Sequence, residues 1–229
     1  MSTESANSFD ESKIELLDNW EEPPLLMVVS APSGAGKSTI CRRILQNATT
    51  QGDCNRGLEF SISTTTRSPR YDEVDGQDYH FVDRDTFDEM VEDDAFLEWA
   101  QVHDEYYGTS KKSVENALDN GDDILLEIDV QGAKQVKACS YNTVLIFVAP
   151  PSLEELERRL RDRDTETEEQ IKKRLSDARK EFQEIEHYDY VVINDRINRA
   201  VSKIESIRLA EKCKSTHQAT ISGQSLPRS

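Results

Sequence analysis

The chain has 229 residues, with 28 Lys and Arg against 45 Asp and Glu, giving a formal charge of −17 and a pI near 4.7. That length can bury a sizeable core, while 36% apolar and 32% charged residues point to disordered ends. The acidity argues against a duplex nucleic-acid partner, no run approaches the ~18 apolar residues of a membrane span, and the acidic start lacks the apolar stretch of a secretory signal.

The charge is unevenly placed. Residues 1–22 carry −6 and residues 70–105 carry −12, leaving the rest nearly neutral. Residues 1–23 read as an acidic, disordered leader, 215–229 as a disordered tail, and 24–214 as one compact unit. Cys41, Cys54, Cys139 and Cys213 are widely spaced, without a CxxC pair. They read as ordinary thiols of a reducing compartment, which predicts a cytoplasmic protein.

In chain order, Leu25–Ser30 is a short apolar run that predicts a buried strand. A glycine-bearing loop follows, then a helix over Ser38–Gln46. Strands are predicted at Phe60–Ser63, Tyr79–Val82 and Phe96–Val102, with a helix over Asp85–Glu92. A helix over Lys111–Asn120 stops at Gly121, a favourable residue just past a helix end. Ile124–Val130 and Thr143–Ala149 predict further buried strands, with a helix over Gly132–Cys139 between them. Ser152 caps the next helix. Thr167–His187 predicts a long helix with an apolar stripe (Ile171, Leu175, Ala178, Phe182, Ile185) and a capping box from Thr167 to Gln170. Tyr190–Ile193 is a last strand and Ile197–Cys213 a last helix. The alternation predicts an α/β fold, a parallel sheet with helices on both faces, interrupted by an acidic insertion at the sheet edge.

Ala31-Pro32-Ser33-Gly34-Ala35-Gly36-Lys37-Ser38-Thr39 joins the first strand to the first helix. It matches the phosphate-loop pattern G-x-x-x-x-G-K-[ST], except that Ala31 replaces the leading glycine. The substitution is compatible with the loop provided Ala31 keeps a negative φ. Backbone N–H groups at a helix N-terminus favour a phosphate. Lys37 would bridge the β- and γ-phosphates of a nucleoside triphosphate, and the Ser38 hydroxyl would hold Mg²⁺, although GTPases, ATPases, kinases and motor domains all use such a loop. A lysine at the positive end of a helix dipole is unfavourable without such an anion. Downstream, Phe60–Arg70 (FSISTTTRSPR) sets Arg67 and Arg70 beside a run of hydroxyls. Forked guanidinium donors and hydroxyls suit a phosphate, though a solvated loop would look the same in isolation.

The blocks SAPSGAGKST, SISTTTRSPR, DGQDYHFV, FLEWA, YYGTS, LLEIDVQG, APPS, RDTETEEQIKKRL and VVIND, in this order, resemble the guanylate kinase family across about residues 25–210. The resemblance implies a P-loop NTPase fold of three layers with a GMP-binding insertion over about 63–105 and a lid over about 155–175. It implies transfer of the γ-phosphoryl group of ATP to GMP or dGMP, in purine nucleotide metabolism and GMP recycling. ATP would meet Gly34, Ala35, Gly36, Lys37, Ser38, Thr39 and Arg159, with Asn194 and Asp195 at adenine. The GMP phosphate would meet Arg67, Arg70, Tyr79 and Tyr107, and its base Ser63, Glu98 and Thr109. Asp129 would lie near the base, or could instead hold Mg²⁺ through water. Lys37, Arg70, Arg163 and Arg174 would stabilise the transferring phosphoryl group. No general base is needed, because a phosphate monoester is mostly dianionic at neutral pH. Two rival readings are a non-catalytic scaffold module of this architecture and a P-loop kinase for another acceptor. The intact Gly36-Lys37-Ser38 argues against the first, and the base-reading set Ser63, Glu98 and Thr109 against the second. Oligomeric state is left open by the sequence.

Overall fold

The computed structural model describes residues 22–50, 57–102, 104–162 and 167–214. Residues 1–21 of the leader, the tail, Cys54, His103 and Arg163 lie outside these residues. The elements are β1 (Leu26–Ser30), α1 (Lys37–Thr50), β2 (Leu58–Phe60), β3 (Thr64–Thr65), β4 (His80–Phe81), α2 (Arg84–Glu92), β5 (Phe96–Val102) and β6 (Glu105–Ser110). They continue with α3 (Lys111–Asp119), β7 (Asp123–Glu127), α4 (Val130–Lys137), β8 (Thr143–Ala149), α5 (Leu153–Arg161), α6 (Glu168–Glu181), a 3₁₀ turn (Phe182–His187), β9 (Tyr190–Ile193) and α7 (Ile197–Lys212).

Five strands form a sheet in the order β2-β7-β1-β8-β9, every pairing parallel. Strand β1 is central and wholly buried. Its side chains alternate across the sheet, as the period of two requires. Met27 and Val29 pack with Ile40 and Ile44 of α1 and Val201 and Ile204 of α7. Leu26 and Val28 pack with Val114 and Ala117 of α3 and Val136 of α4. The result is helix–sheet–helix layering, the predicted class. A second sheet, β4-β3-β6-β5, is built wholly between β2 and β7 in the sequence and contains antiparallel pairs. Helices α5 and α6 form a further unit closed by Leu156, Leu160, Ile171 and Ala178.

Several predicted boundaries need correction. The expected strand at Phe60–Ser63 straddles two elements: the chain leaves the first sheet after Phe60 and enters the second at Thr64. The strand expected to reach Val130 stops at Glu127, because Asp129 caps α4 by accepting from the N–H groups of Gln131 and Gly132. The helix expected over Thr167–His187 tightens into the 3₁₀ turn from Phe182, although the Thr167–Gln170 capping box is present. Strand β6 was not anticipated. Helix α1 starts one residue earlier and ends four later than expected.

Candidate active site

The phosphate loop lies at the carboxyl end of β1, where ligands of open parallel sheets sit. Gly34 and Gly36 have φ of +90° and +93°, conformations that favour glycine. Ala31 is not among the positive-φ residues, so the missing first glycine is accommodated as expected. Lys37 Nζ donates to the Ile128 carbonyl at 2.9 Å, and the Ser38 hydroxyl donates to Glu127.

The loop is braced from behind. Asn194, 1% exposed, donates through Nδ2 to the Ala35 carbonyl at 2.7 Å. Its Nδ2 would lie 2.6 Å from any Cβ at Gly36. Arg159 donates to the Asn194 carbonyl at 2.9 Å and the Ala35 carbonyl at 3.4 Å, and to Glu155 at 2.8 Å. Asp195 pairs with Arg199 at 3.0 Å on the surface. Arg159 and Asn194 therefore brace the loop from behind through the Ala35 carbonyl, and Ala35, Arg159, Asn194 and Asp195 do not line the cavity in front of it.

That cavity, about 590 Å³, lies between the phosphate loop and the second sheet. Gly34, Gly36, Lys37, Ser38 and Thr39 form one wall. Ser63, Arg70, Tyr79, Glu98 and Tyr107 form the facing wall, with Asp129 between. Glu98 owes its inward position to a bulge. The β5–β6 register shifts between Phe96 and Glu98, so Phe96, Leu97 and Glu98 are all buried where alternation would expose one of them. Thr109 Oγ1 donates to Glu98 Oε1 at 2.5 Å. Burial is the main reason that Glu98 is pushed up to about 7; the Thr109 hydrogen bond works against it and the Asp129 charge adds to it. Gly132 at the start of α4 packs so closely on Glu98 that a Cβ would fall 2.2 Å from Oε2.

Arg67 lies behind the cavity wall, over the Tyr79 ring at 5.4 Å, with NH2 2.9 Å from Glu73. The same carboxylate accepts from the Arg70 backbone N–H at 2.8 Å. Tyr79 is pushed up to about 12, chiefly by burial, so it remains a hydrogen-bond donor at neutral pH. From the other side, α6 brings Arg174 to the cavity, where it donates to the Ser33 hydroxyl.

A family model described as guanylate kinase matches residues 24–211. The chain belongs to the guanylate kinase family. It is 50% identical over 190 residues to a guanylate kinase of Caldanaerobacter subterraneus subsp. tengcongensis, covering 83% of this chain and 89% of that protein. It is 47% identical over 200 residues to one from Syntrophotalea carbinolica, covering 87% and 92%. The crystal structure of guanylate kinase from Anaplasma phagocytophilum superposes with a TM-score of 0.69 at 33% identity, covering 85% of this chain and 89% of that one.

Within this guanylate kinase site, three acids escaped the sequence reading of roles. Glu127 sits one residue before the end of the apolar run Ile124–Ile128, and only the fold brings it to Ser38. Glu73 follows the arginine block within an acidic stretch that offers no signal to distinguish it. Glu181 reaches the cavity from the end of α6.

Proposed function

We propose that the chain transfers the γ-phosphoryl group of ATP to the phosphate of GMP, or of dGMP, giving ADP and GDP or dGDP. The observation that carries the reading is one cavity with a phosphate loop on one wall and Glu98 on the other. Guanine presents N1–H and N2–H₂ side by side, and one ionised carboxylate accepts from both. Adenine has no N1–H, and would leave a buried oxygen unmatched, which makes discrimination large. Thr109 fixes the carboxylate, and Ser63 lies on the same wall.

On the GMP side, Arg70, Tyr79 and Tyr107 face the cavity and supply donors to the phosphate. Arg67 acts from behind, held by Glu73. On the ATP side, the Gly34–Thr39 loop takes the phosphates, and Arg159 and Asn194 hold its carbonyl side. The nucleophile is a GMP phosphate oxygen that is already ionised. The barrier is repulsion between two polyanions, so Lys37, Arg70 and Arg174 serve by placing positive charge where the phosphoryl group passes. Arg163 joins them by family resemblance alone. Helices α5 and α6 would cover the reacting phosphates and keep out water, the competing acceptor.

The residues present fit Mg²⁺. The Ser38 hydroxyl and Glu127 carboxylate are hard oxygen donors already in contact. Among the described residues, no cluster of three or more His, Cys, Asp or Glu side chains forms a closed metal cage. Mg²⁺ commonly takes few protein oxygens together with phosphate oxygens and water. Bound with ATP, it would neutralise β- and γ-phosphate charge. Ser38 and Glu127 would hold it, while Asp129 Oδ1 is committed to capping α4.

The setting is cytoplasmic purine nucleotide metabolism, including GMP recycling. Among the described residues no helix is long and apolar enough to cross a membrane. Phosphorus NMR of the chain with ATP, Mg²⁺ and GMP tests the reaction. GDP and ADP should appear in equal amounts, and chelating the metal should stop both. ADP without GDP would mean hydrolysis and reject the reading.

A further inference from the structure

More carboxylates than cations face a cavity that must take two phosphate-rich molecules. Most of these acids have a partner. Glu98 is held by Thr109, Glu127 by Ser38, and Asp129 by the start of α4. Asp177 pairs with Lys180 at 3.1 Å, and Glu184 with Lys134 at 2.7 Å. Glu181 stands apart: among the described residues it has charged neighbours but no hydrogen bond.

Its position is specific. Glu181 ends α6 and lies on the face of Arg174 and Asp177, at i, i+3 and i+7, all three lining the cavity. The charges that reach it are Lys37 from the first turn of α1, Asp129 from the cap of α4 and Asp177 from its own helix. Tyr188 and Glu184 lie in the same cluster. Glu184 is also 3.5 Å from His187. Lys37 is the one cation among the groups acting on Glu181. Burial, opposed by Lys37 and reinforced by Asp129 and Asp177, pushes its carboxyl up to about 7.

We propose that Glu181 is a proton-accepting residue of the phosphate site, balancing Lys37 before a nucleotide arrives and taking a proton from solvent when the phosphates draw the Lys37 charge to themselves. A carboxylate left beside a polyphosphate without its cation is a half-buried, unopposed charge, which protonation relieves. Nucleotide binding and proton uptake are linked, so affinity for the polyphosphate strengthens as pH falls through the neutral range. Glu181 acts through charge and proton balance and is a positioning residue. The opposite proton balance holds at Glu98, which must be ionised to receive guanine.

The proposal rests on the cavity being the nucleotide site, and calorimetry separates the two. ADP is titrated into the full chain near neutral pH, without GMP, in two buffers of different ionisation heat. Omitting GMP keeps guanine away from Glu98. The wild type should take up more protons than Glu181→Gln, by up to about half a proton per site, while both bind ADP. Proton release by the ADP phosphate is common to both and cancels in the difference. Equal proton counts overturn the proposal and leave the nucleotide site standing. ADP binding to neither protein overturns both. Should Glu181→Gln fail to fold, carbon-13 titration of the wild-type glutamate carboxyls decides. A carboxyl that titrates near neutrality and moves upward with ADP supports the proposal, and the absence of such a shift overturns it.

Discussion

Thr109 and Glu98 face each other across the β5–β6 pair, joined by a 2.5 Å hydrogen bond with both side chains buried. The carboxylate is thus fixed and dehydrated before guanine reaches it. Because burial raises Glu98 to about 7, the KM for GMP should rise as pH falls below neutrality, when the carboxyl can no longer accept twice. Glu98→Gln should flatten that profile and erase most of the preference for GMP over AMP, read from initial rates with each acceptor.

The same shift acts on stability with a definite sign. A carboxyl whose folded pKa lies above its unfolded value favours folding most at low pH, and that contribution is lost as pH rises through about 7. Glu98→Gln removes the loss. Its Tm relative to wild type should therefore increase between mildly acidic and alkaline pH, by the equivalent of up to about 3 kcal/mol. Thermal melts across that range check it.

Asn194 should matter to ATP without touching the cavity. Its amide holds the Ala35 carbonyl and fills the space that a side chain at Gly36 would need. Asn194→Ala should raise the KM for ATP about 10-fold, the scale of one lost buried hydrogen bond, with little change in the KM for GMP. Gly36→Ala should be worse. It adds left-handed backbone strain of ~1–3 kcal/mol to the clash. Steady-state kinetics with each substrate varied in turn distinguishes the two.

A buried ion cluster at the opposite end of the sheet should serve stability alone. Asp123, fully buried, accepts from the Leu25 N–H at 3.0 Å, Arg208 at 2.6 Å and Lys212 at 2.9 Å. It ties the starts of β1 and β7 to α7. Asp123→Ala leaves the buried Lys212 only its longer contact with Glu22, at 3.5 Å, and should cost about 3 kcal/mol by denaturant unfolding. kcat/KM per folded molecule should stay within about 2-fold of wild type, a small change in barrier.

The first sheet was legible where its strands are apolar runs, and misplaced at β2, where Glu59 interrupts Leu58 and Phe60. Thr143–Ala149 and Tyr190–Ile193 are observed as predicted. The second sheet was only partly legible, because its strands carry site residues where the hydrophobic period would be. Strand β3 is two buried threonines. Strand β6 (EYYGTS) mixes Tyr107 and Thr109 with Gly108, whose bare backbone admits the Phe96 ring. The phosphate loop, Glu98 and the arginines carried recognisable patterns. Glu127 and Glu181 did not, since a carboxylate's partner across the fold leaves no local mark. Asn194 was expected at adenine from the family resemblance; its hold on the Ala35 carbonyl left no mark in the sequence.

The most direct test sets GMP against AMP as acceptors for ATP in a coupled assay of ADP release, with Lys37→Ala as the control. The account predicts rapid release with GMP, at least ~100-fold less with AMP, and a loss of at least ~100-fold with GMP when Lys37 is removed. Comparable rates with GMP and AMP, or near-normal transfer by Lys37→Ala, would contradict it.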